Sequence, residues 1–182
     1  MNTTATAYEA TARSLSAVLD AVPAEAWDRP SPCEGWSARD VVRHLVDTQR
    51  ELFGRHELDL GPAPDVDADP AAGWRAHEQR VAAVIADDEV AGRGYDGFFG
   101  PTTIGSTLEQ FYVWDMVVHR WDVARATGQD TGLTDAELDR VEAGADSFGD
   151  SLYMEGICRP AVPAGEGTDR ATRVLARLGR AA

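Results

Sequence analysis

The 182-residue sequence contains no lysine, so all 17 of its basic residues are arginine. This absence excludes a Schiff-base lysine, a lysine general base and the lysine of a Walker A phosphate loop as chemistry of this chain. The basic residues are also outnumbered by 31 acidic ones, which leaves a formal net charge of −14. Because such a protein repels nucleic-acid phosphates and anionic lipid surfaces, we expect neither nucleic acid nor membrane among its partners.

Cysteine and long apolar runs are scarce as well. Cys33 and Cys158 are far apart and form no C-x-x-C pair, which favours free thiols in a reducing compartment. No apolar run approaches the roughly 20 residues that cross a bilayer, and residues 1–10 lack the basic start and hydrophobic stretch of a signal peptide. We therefore expect a cytoplasmic protein. A hydrophobic content of 43% is enough for one folded domain over residues 1–182.

Apolar residues recur at helical spacing in five segments, and no segment predicts a buried strand. The expected helices cover about residues 4–21, 37–54, 70–85 and 106–127 and a stretch that begins at residue 134, and a short last helix ends at Gly179. Capping boxes mark two of the starts, Ser37 with Asp40 and Thr134 with Glu137. Residues 89–105 are rich in glycine and aromatic residues and predict an extended turn or a short hairpin. The pattern predicts an all-α helical bundle with one long connection.

The fourth predicted helix carries ionisable groups although it is otherwise apolar nearly all round. Asp115 and His119 are four residues apart and Asp122 follows three later, so the three side chains project from one face. A helix of this composition is normally buried, and a buried carboxylate or imidazole needs a partner or a metal. We expect this helix to be the most buried element, with core residues that include Phe111, Val118 and Trp121.

Two interpretations of these groups remain open from the residues alone. Asp115 and His119 can form a structural pair that locks two helices together, or they can bind a divalent metal with His44, which lies on the flank of the apolar stripe of the second helix. Two imidazoles and one carboxylate leave a coordination position open, as in a catalytic site. Asp122 would then accept the second ring N–H of His119 and fix its orientation.

Other polar residues are weaker candidates for a site. His56 and His77 stand among charged neighbours, which predicts solvated surface positions for both. Asp47, three residues after His44, is expected to pair with Arg43 or Arg50 at the surface. Cys33, in the turn before Trp36, suits packing as much as chemistry.

Two stretches of the chain resemble the signatures of the DinB-like metalloprotein superfamily. They are residues 31–45, Ser-Pro-Cys-Glu-Gly-Trp-Ser-Ala-Arg-Asp-Val-Val-Arg-His-Leu, and residues 115–128, Asp-Met-Val-Val-His-Arg-Trp-Asp-Val-Ala-Arg-Ala-Thr-Gly. Within the superfamily the chain is most similar to the actinobacterial branch that includes the N-terminal metal-binding domain of mycothiol-dependent maleylpyruvate isomerase. The resemblance implies a DinB-like four-helix bundle, here with additional short C-terminal helices. It also implies a divalent metal, commonly zinc, held by His44, Asp115 and His119, with aspartate at 115 where the isomerase has glutamate.

The resemblance further implies a function. Members of this group activate a low-molecular-weight thiol on the metal, so we expect mycothiol as co-substrate, a small electrophile as its target for S-transfer or isomerisation, and a homodimer. We expect the mouth of the pocket near Trp36, Trp114 and residues 98–103. Two alternatives remain: an oxygen-activating iron(II) site, which uses the same ligand types, and a metal- or small-molecule-binding protein without catalysis.

Overall fold

The computed structural model describes residues 2–154 and 156–180. In chain order its α-helices are α1 (Thr3–Asp20), α2 (Ala38–Arg55), α3 (Pro70–Ile85), α4 (Asp88–Ala91), α5 (Ile104–Thr107), α6 (Trp114–Thr127), α7 (Asp135–Phe148) and α8 (Arg170–Arg177). The strands β1 (Gly94–Gly97) and β2 (Gly100–Thr103) form an antiparallel hairpin between α4 and α5. Short 3-10 turns cover Ala24–Ala26 and Gly149–Tyr153, and a π-helical stretch covers Leu108–Val113.

The bundle consists of α1, α2, α3 and α6. Helices α1 and α2 each pack against α3 and α6, while α7 lies on the outer side of α6 and α8 packs on α7. One apolar core fills the space between α1, α2, α3 and one side of α6, and a second core lies between α6, α7 and α8. The predicted all-α bundle with additional short C-terminal helices is confirmed.

Local sequence signals set several of the helix ends. At the start of α2, the Ser37 hydroxyl accepts a hydrogen bond from the Asp40 backbone N–H, and the Asp40 carboxylate accepts one from the Ser37 backbone N–H. Thr134 and Glu137 form the same reciprocal pair at the start of α7. Gly128 ends α6 with a φ of 76°, a left-handed conformation that glycine adopts without steric cost.

The region before α6 differs from the prediction in two respects. The hairpin expected within residues 89–105 is present, but a short helix, α4, precedes it. The fourth predicted helix begins at Ile104 rather than at residue 106, and it passes through the π-helical stretch Leu108–Val113 before α6 begins. This stretch ends two residues before Asp115, the first of the two expected metal ligands on α6.

Helix α6 is buried on nearly all sides, as predicted. Val118 and Trp121 are 1% and 2% exposed. Phe111 was expected in the core and is only half-buried, because its ring lines a cavity. No helix in the described ranges is long and apolar enough to cross a membrane.

The surface position predicted for His77 is wrong. Its side chain is fully buried between α2 and α3, where Nε2 lies 3.1 Å from the Gln49 side-chain oxygen, and the Tyr8 hydroxyl donates to the same oxygen at 2.9 Å. Burial, together with the charges of Arg50 and Arg80, lowers the pKa of His77 to about 3, so this core histidine is neutral.

Two smaller surface predictions are also corrected. His56 is half-buried, with its ring 4.3 Å from that of Tyr95. Asp47 is exposed and forms neither of the expected pairs, since Arg43 binds other aspartates and Arg50 donates to the carbonyl of Gly61.

Candidate metal centre

Helices α2 and α6 bring the three predicted ligands together. His44 Nε2 lies 3.2 Å from Asp115 Oδ2, and His119 Nε2 lies 3.2 Å from Asp115 Oδ1. One donor atom from each of the three residues can be chosen so that all lie within 4.8 Å of one another. Two imidazole nitrogens and a carboxylate oxygen at this spacing fit a single divalent cation.

The three side chains differ in their access to solvent. His119 is 5% exposed, whereas His44 and Asp115 are 27% and 23% exposed. Burial by itself would raise the pKa of Asp115, but the charges and hydrogen bonds of His119 and His44 lower it well below its ordinary value. The carboxylate is therefore ionised and reachable from one side, which is the state a metal ligand needs.

Asp122 fixes the orientation of the His119 ring. Its side chain is fully buried, and Oδ2 lies 2.8 Å from His119 Nδ1. Because a carboxylate only accepts hydrogen bonds, Nδ1 carries the hydrogen and Nε2 faces Asp115. Although burial opposes a charged ring, the carboxylates raise the pKa of His119 well above its ordinary value, so metal binding at Nε2 releases a proton.

Arg180 is a part of the site that the sequence did not reveal. Its guanidinium is 8% exposed and lies 3.2 Å from Asp122 Oδ2, where it neutralises a carboxylate that has no exposed surface. Burial favours a protonated Asp122, but the hydrogen bond from His119 and the charge of Arg180 lower the pKa of this carboxyl group. The chain His119–Asp122–Arg180 thus links a candidate metal ligand to the C-terminal segment.

Cys33 contacts both Asp122 and Arg180. The turn that carries it is closed by a hydrogen bond from the Trp36 N–H to the Cys33 carbonyl, with Gly35 at a φ of 80°. The Cys33 thiol donates to Asp122 Oδ2 at 3.3 Å, and its sulfur lies 3.7 Å from Arg180. Cys33, His119 and Asp122 also cluster as metal-binding groups do, but the Arg180 cation already neutralises this second set.

The candidate metal ligands line a cavity of about 660 Å³. Trp36 and Trp114, predicted near its mouth, both line it. The Trp36 ring lies 4.9 Å from the His44 ring, and the Trp114 indole donates to the carbonyl of Val141 at 3.1 Å. Residues 98–103 do not line the cavity, but Phe99 stacks on Phe111, which does.

The two cysteines are both free, as expected, and both line the cavity. They lie on either side of Arg180, whose guanidinium is 3.6 Å from the Cys158 sulfur. The sequence contained no signal for this arrangement, since Arg180 is 58 residues from Asp122 and 147 from Cys33.

Comparison with known proteins agrees with the resemblance in the two signature stretches. Two proteins of Mycobacterium tuberculosis, from strains CDC 1551 / Oshkosh and ATCC 25618 / H37Rv, are each 28% identical over 138 residues, which cover 72% of this chain and 71% of the relative. Both are described only as uncharacterized proteins. No solved structure matches the chain significantly. The sequence model of the mycothiol maleylpyruvate isomerase N-terminal domain matches residues 8–124, and the chain therefore belongs to this family.

Proposed function

We propose that this protein is a metal-dependent enzyme that activates mycothiol for S-transfer to, or isomerisation of, a small electrophile. The observation that carries the proposal is the cluster of His44, Asp115 and His119 at the wall of a cavity of about 660 Å³. The family description supplies the thiol. The donor set is typical of catalytic zinc, which we propose as the metal.

The chain's own residues prepare this site. Asp122 holds the Nδ1 hydrogen of His119, so that Nε2 is directed at the metal position. The Trp36 ring packs beside the His44 ring, with centroids 4.9 Å apart. A divalent metal bound there would hold a thiol sulfur as thiolate at neutral pH, where a free thiol is mostly protonated. The aromatic side chains that line the cavity would keep water from the electrophile.

Metal content of the variants tests the assignment of the ligands. We expect protein purified without added metal to contain one divalent ion per chain, and His119→Ala and His44→Ala to lose it. His56→Ala is the matched control, since this histidine contacts Tyr95 outside the cavity, and it should retain the metal. Because a purely structural Asp–His pair would also be destabilised by these changes, the measurement is elemental analysis of the folded variants, not their melting temperature. Unchanged metal content in both variants would place the metal elsewhere.

Thiol-dependent turnover tests the reaction. Consumption of an electrophile by mycothiol should be accelerated by the enzyme and should return to the uncatalysed rate after chelation. Turnover in metal-free protein, or turnover without any thiol, would contradict the mechanism. Cobalt-substituted protein gives a test that does not depend on the electrophile, because direct sulfur ligation alters the visible spectrum when mycothiol is added.

A further inference from the structure

One wall of the cavity is built from stacked aromatic rings. Phe111 and Phe148 lie parallel, with centroids 5.4 Å apart, and Trp114 meets Phe148 edge to face at 5.4 Å. Phe99, near the tip of the hairpin, lies parallel to Phe111 with its centroid 6.0 Å away. Phe111, Phe148 and Trp114 line the same cavity as Asp115 and His119.

The mouth of the cavity is apolar too. Five large apolar side chains are exposed in the described part of the chain: Phe98, Phe99, Tyr153, Met154 and Ile157. The last three line the cavity, Phe99 stacks on a ring that lines it, and Phe98 packs on Phe99. Exposed apolar groups gathered at one place, rather than scattered, mark a binding surface.

The side chains that line the cavity in the described part of the chain offer no unpaired cation to an anion. Two arginines line it, and each is already paired, Arg180 with the buried Asp122 and Arg159 with Glu34. The residues outside the described ranges, 1, 155, 181 and 182, add no arginine or lysine. A net charge of −14 further opposes the approach of an anionic substrate.

From these observations we propose that the electrophile is a neutral aromatic compound that lies against Phe111, Phe148 and Trp114. The reaction rests on the proposed function; the binding does not. With an aryl halide, the thiolate sulfur forms a bond to the ring carbon, the carbon–halogen bond breaks, and the halide leaves with the bonding electron pair. The proton lost by the thiol passes to solvent. The aromatic side chains hold the ring by apolar and aromatic contacts, which need no charged partner.

A matched pair of unreactive probes tests the binding. Para-nitrotoluene and para-nitrobenzoate differ only in a methyl group against a carboxylate, and both can be titrated by quenching of tryptophan fluorescence. We expect the neutral probe to bind at least about tenfold more tightly to the whole protein, with and without chelator. Equal or tighter binding of the carboxylate would overturn the proposal.

Variants separate the aromatic wall from the arginines. Phe111→Ala, at a half-buried position, should weaken binding of para-nitrotoluene about fivefold. Phe148→Leu should also weaken it. Arg159→Gln is the control and should leave the neutral probe unaffected. Unchanged affinity in both phenylalanine variants would overturn the proposal.

The failure of this proposal can be distinguished from failure of the proposed function. If chlorodinitrobenzene is consumed by mycothiol at the uncatalysed rate while para-nitrotoluene binds as expected, the thiol chemistry is wrong and the aromatic site stands. If turnover occurs with an anionic electrophile and para-nitrotoluene does not bind, the thiol chemistry stands and the aromatic site is wrong.

Discussion

Replacing Arg180 with methionine should destabilise the protein strongly, although Arg180 lies near the end of the chain. Methionine keeps most of the apolar stem and removes only the guanidinium. Asp122, which has no exposed side-chain surface, would then be left with the His119 ring and the Cys33 thiol as its partners. Leaving a buried charge without its ionic partner costs more than the intact pair contributes.

The size of the effect follows from the burial of both groups. Removing one partner of a buried ion pair typically costs about 3–5 kcal/mol, and the remaining bond to His119 places this case near about 3 kcal/mol. For a chain of this size, that loss corresponds to a fall in melting temperature of about 6–12 °C. Arg177→Met is the matched control, because the pair of Arg177 with Asp146 is 40% and 69% exposed. Its loss should cost less than about 1 kcal/mol.

Urea unfolding in the presence of chelator measures the contribution of the Arg180–Asp122 pair to the free energy of unfolding, without a contribution from bound metal. The double-mutant cycle adds Asp122→Asn alone and together with Arg180→Met. The two changes should couple by at least about 1 kcal/mol, with the double variant more stable than the sum predicts. Additive effects, or a loss for Arg180→Met no larger than for Arg177→Met, would refute the argument that Arg180 neutralises Asp122.

Two further predictions concern the core. Because the pKa of His77 is about 3 in the folded state and near 6.5 when unfolded, only the unfolded chain gains this proton as the pH falls. The contribution of neutral His77 to the free energy of unfolding is fully present above pH 6.5 and falls by about 2 kcal/mol between pH 7.5 and pH 5. The variant His77→Gln should not show this loss when its unfolding by urea is measured at both pH values. Gly144→Ala would place its Cβ 2.4 Å from the Trp114 ring, so it should cost about 1–3 kcal/mol. Gly54→Ala, in open space within α2, should be neutral or stabilising; equal effects of the two changes would contradict the packing.

The helices were predictable where the signal is local. The capping boxes at Ser37 and Thr134 identify the starts of α2 and α7, because both partners of each box lie within one turn. The π-helical stretch Leu108–Val113 has no such signal. Its hydrogen bonding is rare and reflects packing against the rest of the protein, which a hydrophobic period cannot indicate.

The site was predictable to the extent that it lies on single helices. The spacing of Asp115, His119 and Asp122 placed them on one face of α6, and their contacts follow from that geometry. Arg180 could not be identified, since only the packing of the C-terminal segment brings it to Asp122. Whether the cluster binds metal stays a prediction.

The error at His77 has a different cause. Its charged neighbours Glu78 and Arg80 suggested solvent, but the helix face of His77 is set by all the residues three and four positions away. These are Gly73, Trp74, Arg80 and Val81, and the two large apolar ones, Trp74 and Val81, are fully buried. The apolar residues on the same helix face therefore predict the burial of His77 better than the charged residues near it in the sequence do.

The π-helical stretch also makes chain length a determinant of the candidate site. Each residue of a helix turns the following chain by about 100° about the axis, so deleting one residue from Leu108–Val113 would rotate α6 by that amount relative to α5 and the hairpin. Asp115 and His119 would then no longer face His44, which lies on α2. The number of residues in this stretch, more than the identity of any one of them, sets the direction in which the two candidate metal ligands of α6 face relative to the hairpin.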